Sequence, residues 1–179
     1  MLYKNNPVQS QTGITLVLVL VFIVSLSLIA AVGMRNVSTG ERVVANEKDR
    51  ALAFQGAESA GREAVAKISA GTAPALSPGY VSAPLARGGN ADFWRTTSSL
   101  TPDSTCAFTD ASKRFDWASC AASADSDYGN SLKPKYIIER MPNVVVSASV
   151  TEKWYRITSR AAGGSKEADV VLQIMFTAP

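Results

Sequence analysis

The stretch that decides the fold is ITLVLVLVFIVSLSLIAAVGM, residues 14–34, which contains no ionisable side chain. At about 1.5 Å per residue, a helix of this length crosses the roughly 30 Å hydrocarbon core of a bilayer. A cleavable secretory signal would have a shorter apolar core of about 7–15 residues. Only Ala30, Ala31 and Gly33 resemble its cleavage site. The sequence therefore predicts a transmembrane helix that is kept in the mature protein.

The polar segment before this helix, residues 1–13, carries one lysine, Lys4, and ends in Gly13. Lys4 and the amino terminus favour a cytoplasmic N-terminus, although Arg35 and Arg42 beyond the helix weaken the charge asymmetry that sets orientation. We expect the chain to cross the membrane once.

The composition excludes several classes of function. The chain has 179 residues and a formal net charge of +3 without a basic block, so we expect no nucleic-acid partner. It has no histidine, which excludes a Ser-His-Asp triad and histidine-ligated zinc. No motif indicates catalysis, and we therefore expect no enzyme activity, cofactor, metal or small-molecule substrate.

Residues 35–70 continue the helix into water, because helix-forming residues predominate and no proline interrupts them. Gly71 and Pro74 then end it. One stripe of mostly small side chains follows helical spacing and is expected to lie on the chain's own globular domain: Ala53, Ala57, Ala60, Ala64 and Ile68.

Residues 71–179 form the expected globular domain, with a loop region at 71–132 and an antiparallel sheet at 133–179. Strands are predicted at residues 136–140 and 144–150, followed by a hairpin formed by 154–161 and 168–176. Alternating polar and apolar residues in 154–161 predict a strand that is buried on one face only. The fold class is therefore α+β, with the long N-terminal helix covering one face of about four strands.

Cys106 and Cys120 are the only cysteines, and they are either bridged or free. Outside the cytoplasm a disulfide is the favoured alternative, worth about 3 kcal/mol in the chain-entropy description. Zinc is the weaker alternative, because two cysteines without histidine do not complete a tetrahedral site.

Other acidic residues are interpreted as surface groups. Asp125, Asp127 and Asn130 have the oxygen density of a calcium loop, but Tyr136 occupies the twelfth position where an acid is needed. An ordinary turn is therefore expected. Four further carboxylates are expected to be solvated: Asp92, Asp103, Asp110 and Asp116.

The order of polar leader, uncharged helix, soluble helix and small sheet resembles type IV pilins and pseudopilins. Residues 34–64 (MRNVSTGERVVANEKDRALAFQGAESAGREA), 134–139 (PKYIIE) and 155–173 (YRITSRAAGGSKEADVVLQ) narrow this to a resemblance to the PilX family of minor pilins. The resemblance implies cleavage by a prepilin peptidase after Gly13 and methylation of the new amino terminus at Ile14.

The chain departs from the major pilins at three positions near the expected cleavage site. Thr12 replaces a basic residue, Ile14 replaces phenylalanine, and Leu18 replaces the acidic fifth mature residue. In the family that acid is thought to meet the amino terminus of the subunit above. Leu18 therefore suggests a subunit that needs no subunit above it, at or near the fibre tip, where it would prime assembly.

The resemblance implies partners among the other minor pilins, the major pilin, the inner-membrane assembly platform and the lipid bilayer. The protein is expected in the inner membrane with its C-terminal domain in the periplasm, and then in the pilus on the cell surface. Two alternatives are a pseudopilin that initiates a type II secretion fibre and a membrane-anchored periplasmic binding module. The second would need exposed aromatics such as Trp94, Trp117 or Trp154.

Overall fold

The computed structural model describes residues 13–125, 133–147 and 150–178. The chain divides into two compact units, Met1–Ala45 and Asn46–Pro179. One helix, α1, extends from Ile14 to Ser69 and contributes to both. It begins directly after Gly13, whose φ of +131° suits glycine, and Gly71 at φ +70° follows its end. The Thr72 amide donates to Lys67 O and so closes the last turn.

The C-terminal unit contains short elements and four longer strands. The short elements are a 3₁₀ turn (Ala73–Ala75), β1 (Tyr80–Val81), α2 (Ala91–Trp94), β2 (Thr101–Asp103), β3 (Lys113–Phe115) and β4 (Ala122–Ser123). The longer strands are β5 (Lys135–Arg140), β6 (Val144–Ser147), β7 (Val150–Ala162) and β8 (Asp169–Ala178).

The main sheet is mixed and has six strands, ordered β1-β5-β7-β6, with β4 also pairing with β5 and β8 with β7. β1 is parallel to β5, and the other pairs are antiparallel. The expected number of four strands is too low. β1 and β4 lie in the segment expected to be loop, and strands of two residues are too short to show a periodic pattern. β2 and β3 form a separate parallel pair.

Two apolar clusters lie on opposite faces of the sheet. On one face, α1 packs through Ala60, Ala64 and Ile68 against Tyr136, Ile138 and Ile157, among others. On the other face, the segment between β1 and β4 contributes an aromatic cluster that surrounds Ile137. The sheet is thus the middle of three layers within this unit.

The prediction that β7 is buried on one face is wrong. Ile157, Thr158 and Ser159 are all fully buried, although they alternate between the two faces. The polar residues at alternate positions of β7 lie under the aromatic layer instead of in water. The sequence pattern shows their polarity but cannot show that a loop covers them.

Candidate assembly site

The first part of α1 presents a long, predominantly apolar surface. Its most apolar 18-residue window has a mean hydropathy of 3.0 and none of it is buried. Leu18, Phe22 and Ile29 are each about 60–70% exposed. An exposed apolar surface of this size is unfavourable in water and stable in lipid or against similar helices. By length and composition, this helix is suited to anchoring the chain in a membrane.

The two serine hydroxyls inside this apolar segment have hydrogen-bond partners one turn earlier in the helix. Ser25 Oγ donates to Val21 O at 2.8 Å, and Ser27 Oγ donates to Ile23 O at 2.7 Å. Backbone and hydroxyl groups in lipid require such internal partners, because no water is available there.

The expected processing residues lie at the start of this helix. Gly13 precedes the first helical residue, Ile14, and no atom lies within 4 Å of the place where its Cβ would be. The first turn contains no acidic residue, and Leu18 is 59% exposed. These positions are therefore accessible on the described chain, and residues 1–12 of the leader lie outside it.

The small-residue stripe of α1 packs on the sheet as expected. Ala53, Ala57, Ala60 and Ala64 have no exposed surface. A Cβ at Gly56 would lie 2.9 Å from Ala161 Cβ. Such a distance would force a shift, so glycine permits this close approach of helix and sheet.

Two carboxylates on α1 also hold the sheet domain. Asp49 accepts hydrogen bonds from Ser165 N at 2.9 Å and Ser165 Oγ at 2.6 Å, in the turn between β7 and β8. The Ser165 hydroxyl is the main reason that the pKa of Asp49 is lowered. Glu63 accepts from the Asp125 amide at 2.8 Å. Helix and sheet are therefore joined by polar contacts as well as apolar packing.

The structure joins Cys106 and Cys120 in a disulfide, the favoured alternative from the sequence. Asp103 lies beside it, 2% exposed, and accepts from Thr105 N, Thr105 Oγ1 and Phe108 N. The Thr105 hydroxyl contributes most to the lowered pKa of Asp103. The expectation that Asp103 is solvated is wrong, because its carboxylate holds a turn in which Cys106 and Phe108 have positive φ.

The aromatic side chains of the loop region form a core. Phe93 is 2% exposed, and Trp94 and Trp117 are each 3% exposed. Trp94 Nε1 donates to Gly88 O and Trp117 Nε1 to Trp94 O, so both indoles have satisfied donors. Two of the three tryptophans that a binding module would need on its surface are therefore buried.

A buried ion pair lies between β5, β7 and the loop at Leu85. Glu139, fully buried, accepts from Arg156 Nε at 2.9 Å, from Arg156 Nη2 at 2.6 Å and from Leu85 N at 2.9 Å. Arg156 also donates to Leu85 O. The sequence analysis does not identify this pair, and its signal is the single acid of the KYIIER strand, directly after the apolar residues Ile137 and Ile138.

The remaining candidate ligands give no metal site in the described part of the chain. There, no group of three His, Cys, Asp or Glu side chains could hold a metal ion. Asp110 and Asp116 accept from amides two residues ahead, Ser112 N and Ala118 N, as ordinary turn residues do. Asp127 and Asn130 of the suggested calcium loop lie outside the described residues.

A long N-terminal helix, apolar in its first part and packed on a sheet in its last part, defines a pilin-like subunit. Comparison with protein families matches residues 81–178 to the C-terminal domain of the type IV pilus assembly protein PilX. Residues 12–61 match the PilX N-terminal domain. The chain belongs to the PilX family. No curated protein and no solved structure matches it in the corresponding searches.

Membership of this family gives the chain the role of a type IV pilus minor pilin, a structural component that interacts with other components of the pilus. The family match favours the pilus over the type II secretion alternative. The apolar first part of α1 is the part suited by length and composition to membrane anchoring.

Proposed function

We propose that this minor pilin is cleaved after Gly13, methylated at Ile14 and anchored in the inner membrane by residues 14–34, with its sheet domain in the periplasm. From there it associates with other minor pilins, primes assembly and is incorporated at or near the fibre tip. The prepilin peptidase, the major pilin and the assembly platform are its other partners in this scheme. The protein acts through packing and not through a reaction.

The observation that carries the tip position is the uncharged start of α1. Counted from Ile14, Leu18 is the fifth residue, and the first turn has no acidic residue. A carboxylate within lipid costs about 2.5–3.5 kcal/mol unless a partner charge compensates it. Leu18 avoids this cost and also lacks the group that would hold the amino terminus of a subunit above. A subunit of this kind is suited to the first position of a fibre.

N-terminal sequencing of the protein extracted from membranes and from purified pili tests processing and retention. A methylated Ile14 start in both fractions is expected. An intact Met1 would contradict processing, and a start beyond residue 34 would contradict the retained anchor.

The tip position is tested by Leu18→Glu, with Leu20→Glu as the matched control. Both leucines are nearly equally exposed, 59% and 58%, so both variants place the same charge in the same apolar surface. We expect Leu18→Glu to change the number of pili or to place the subunit along the shaft, because it restores the contact with a subunit above. Identical pilus number and subunit position in both variants would exclude Leu18 as the determinant.

A further inference from the structure

The outer edge of β8 is long and unprotected. Within the described residues β8 pairs only with β7, so its other edge is open along Asp169–Ala178. From residue 170 to 178 this edge contains no charged residue and no proline, two of the features that usually prevent unwanted strand pairing. Met175 is 51% exposed in the middle of it.

The register shows which backbone groups face outward. Gly163 N donates to Ala168 O at 2.7 Å, and the β7–β8 ladder continues in the same register. Hydrogen-bonded and non-hydrogen-bonded pairs alternate along an antiparallel ladder. The N–H and C=O groups of the odd-numbered residues 171–177 therefore point away from β7, toward the open edge.

A cleft of about 810 Å³ follows the first half of this edge. Val170, Val171 and Gln173 of β8 are among the residues that line it. The helix lines one side of the cleft with Asn46 and Arg50. The α2 segment lines the other side with Arg95 and Thr97. Five residues of strand, about 17 Å long, would fit the stretch from 169 to 173.

The charges in the cleft indicate what could enter it. Asp49 is engaged by Ser165, and Asp169 accepts from Arg160 Nε and Thr96 Oγ1. In the described part of the chain, neither Arg50 nor Arg95 belongs to an ion pair, and they come from opposite walls. An extended segment that carries acidic side chains would complement these two arginines. Glu167 is the remaining acidic residue of the lining and would oppose such a segment.

We propose that an extended, acidic segment of a different pilus subunit adds to the outer edge of β8 as a further strand. Its backbone would bond the outward groups of residues 171–177, and its acidic side chains would face Arg50 and Arg95. This inference rests on the proposed function, because it supplies the contact through which the subunit joins its neighbours.

A second copy of this chain fits the edge less well. The β8 edge that a second copy would offer has no acidic residue from 170 to 178, and the second copy brings the same two arginines. It would therefore leave Arg50 and Arg95 without opposite charges. A different subunit, with an acidic segment, is the occupant that these charges favour.

Amide hydrogen exchange on the full chain tests the strand addition at residue resolution. The chain is measured alone in detergent and again in the complex purified with other pilus subunits. We expect the outward amides at 171, 173, 175 and 177 to exchange at least about tenfold more slowly in the complex. The inward amides at 172, 174 and 176 should be slow in both samples, because β7 already holds them.

Charge reversal provides the second measurement. Arg50→Glu and Arg95→Glu should each lower the amount of other pilus subunits recovered with the chain by severalfold. Lys153→Glu, an equal charge change at an exposed residue that does not line the cleft, should leave recovery unchanged.

The outcomes separate this inference from the proposed function. Recovery with other subunits but fast outward amides would overturn the strand addition alone. Outward amides that are already slow in detergent would overturn it too, because detergent or this chain itself would then cover the edge. A chain that is never recovered with pilus subunits would overturn both proposals.

Discussion

Gly56 lies where the helix and the sheet approach each other closely. A Cβ built on it would be 2.9 Å from Ala161 Cβ and 3.4 Å from Pro134 Cγ. Neither neighbour is the end of a long flexible side chain, so neither can move away at small cost. Gly40, also within α1, has no atom within 4 Å of its Cβ position.

We therefore expect Gly56→Val to lower the free energy of unfolding by about 1–3 kcal/mol through overpacking. Gly40→Val, the matched control, should leave it nearly unchanged, since a Cβ there meets no neighbour and valine is a slightly better helix former than glycine. Denaturant titration of the detergent-solubilised chain, followed by fluorescence of the buried Trp94 and Trp117, measures both. If Gly56→Val left the free energy of unfolding unchanged, the helix would be able to move away from the sheet without loss of stability.

Tyr136 makes the contact between helix and sheet sensitive to high pH. Burial, followed by the nearby Glu63 carboxylate, raises the pKa of Tyr136 from 10.0 to about 12. A raised pKa means that the folded state favours the protonated phenol. This contribution to stability is complete below about pH 10 and is lost as the pH rises through about 12.

The free energy of unfolding should therefore fall between pH 10 and 12 more steeply in the wild type than in Tyr136→Phe. High pH also acts on the rest of the chain, so the difference between the two proteins is the quantity to measure, by denaturant titration at each pH. Parallel pH profiles would contradict a buried phenol at this position.

Individual buried polar residues were the least predictable part of the chain. The alanine stripe is visible in the sequence because helical spacing repeats it four times. Asp103 and Glu139 leave no such pattern, since their burial depends on partners far away or on turn geometry. Glu139 lies 54 residues from Leu85 and 17 from Arg156. Such pairs follow from the tertiary fold and not from local periodicity.

At the scale of elements, the loop between the two cysteines carries much of the aromatic layer. Phe108, Phe115 and Trp117 lie between Cys106 and Cys120, and Phe108 stacks on Phe115 with ring centroids 5.2 Å apart. The layer covers the second face of the sheet, so closing this loop also keeps β5 and β7 buried. The disulfide therefore affects more than its own segment.

Removing the disulfide by the double substitution Cys106→Ser and Cys120→Ser should lower the free energy of unfolding by about 3 kcal/mol. Reductant should destabilise the wild type by a similar amount and should have no further effect on the double variant. Thermal unfolding with and without reductant measures both. If reductant did not change the thermal unfolding of the wild type, aromatic packing alone would hold the loop closed.

The elements that the sequence predicted correctly are those with a long periodic pattern. The helix and the hairpin of β7 and β8 were recognisable from repeated spacing and from the Gly163-Gly164-Ser165 turn. β1 and β4 consist of two residues each, and they pair with β5 only because the chain folds back on it. Burial of the polar face of β7 is not visible in the sequence for the same reason, because a non-periodic segment covers it.

Over the whole molecule, an exposed apolar anchor is joined to a domain with a buried apolar core. Residues 14–34 contain fourteen Leu, Ile, Phe and Val residues, exposed along the helix. At about 0.3–0.6 kcal/mol each, they favour membrane insertion by about 4–8 kcal/mol. The pairing of an apolar anchor with a compact domain could be predicted from the sequence, because composition alone separates them.

Charged residues in the middle of the apolar segment should prevent it from anchoring the chain. Two arginines at the centre of the segment, Val21→Arg with Val24→Arg, cost about 5–7 kcal/mol together and so cancel most of the gain. We expect this variant to be largely lost from the membrane fraction and from pili. The matched control, Val43→Arg with Val44→Arg, changes two valines that are 56% and 68% exposed outside the apolar segment, and it should remain in the membrane. Equal membrane retention of both variants, measured by fractionation and immunoblotting, would show that the apolar part of α1 is not what anchors the subunit.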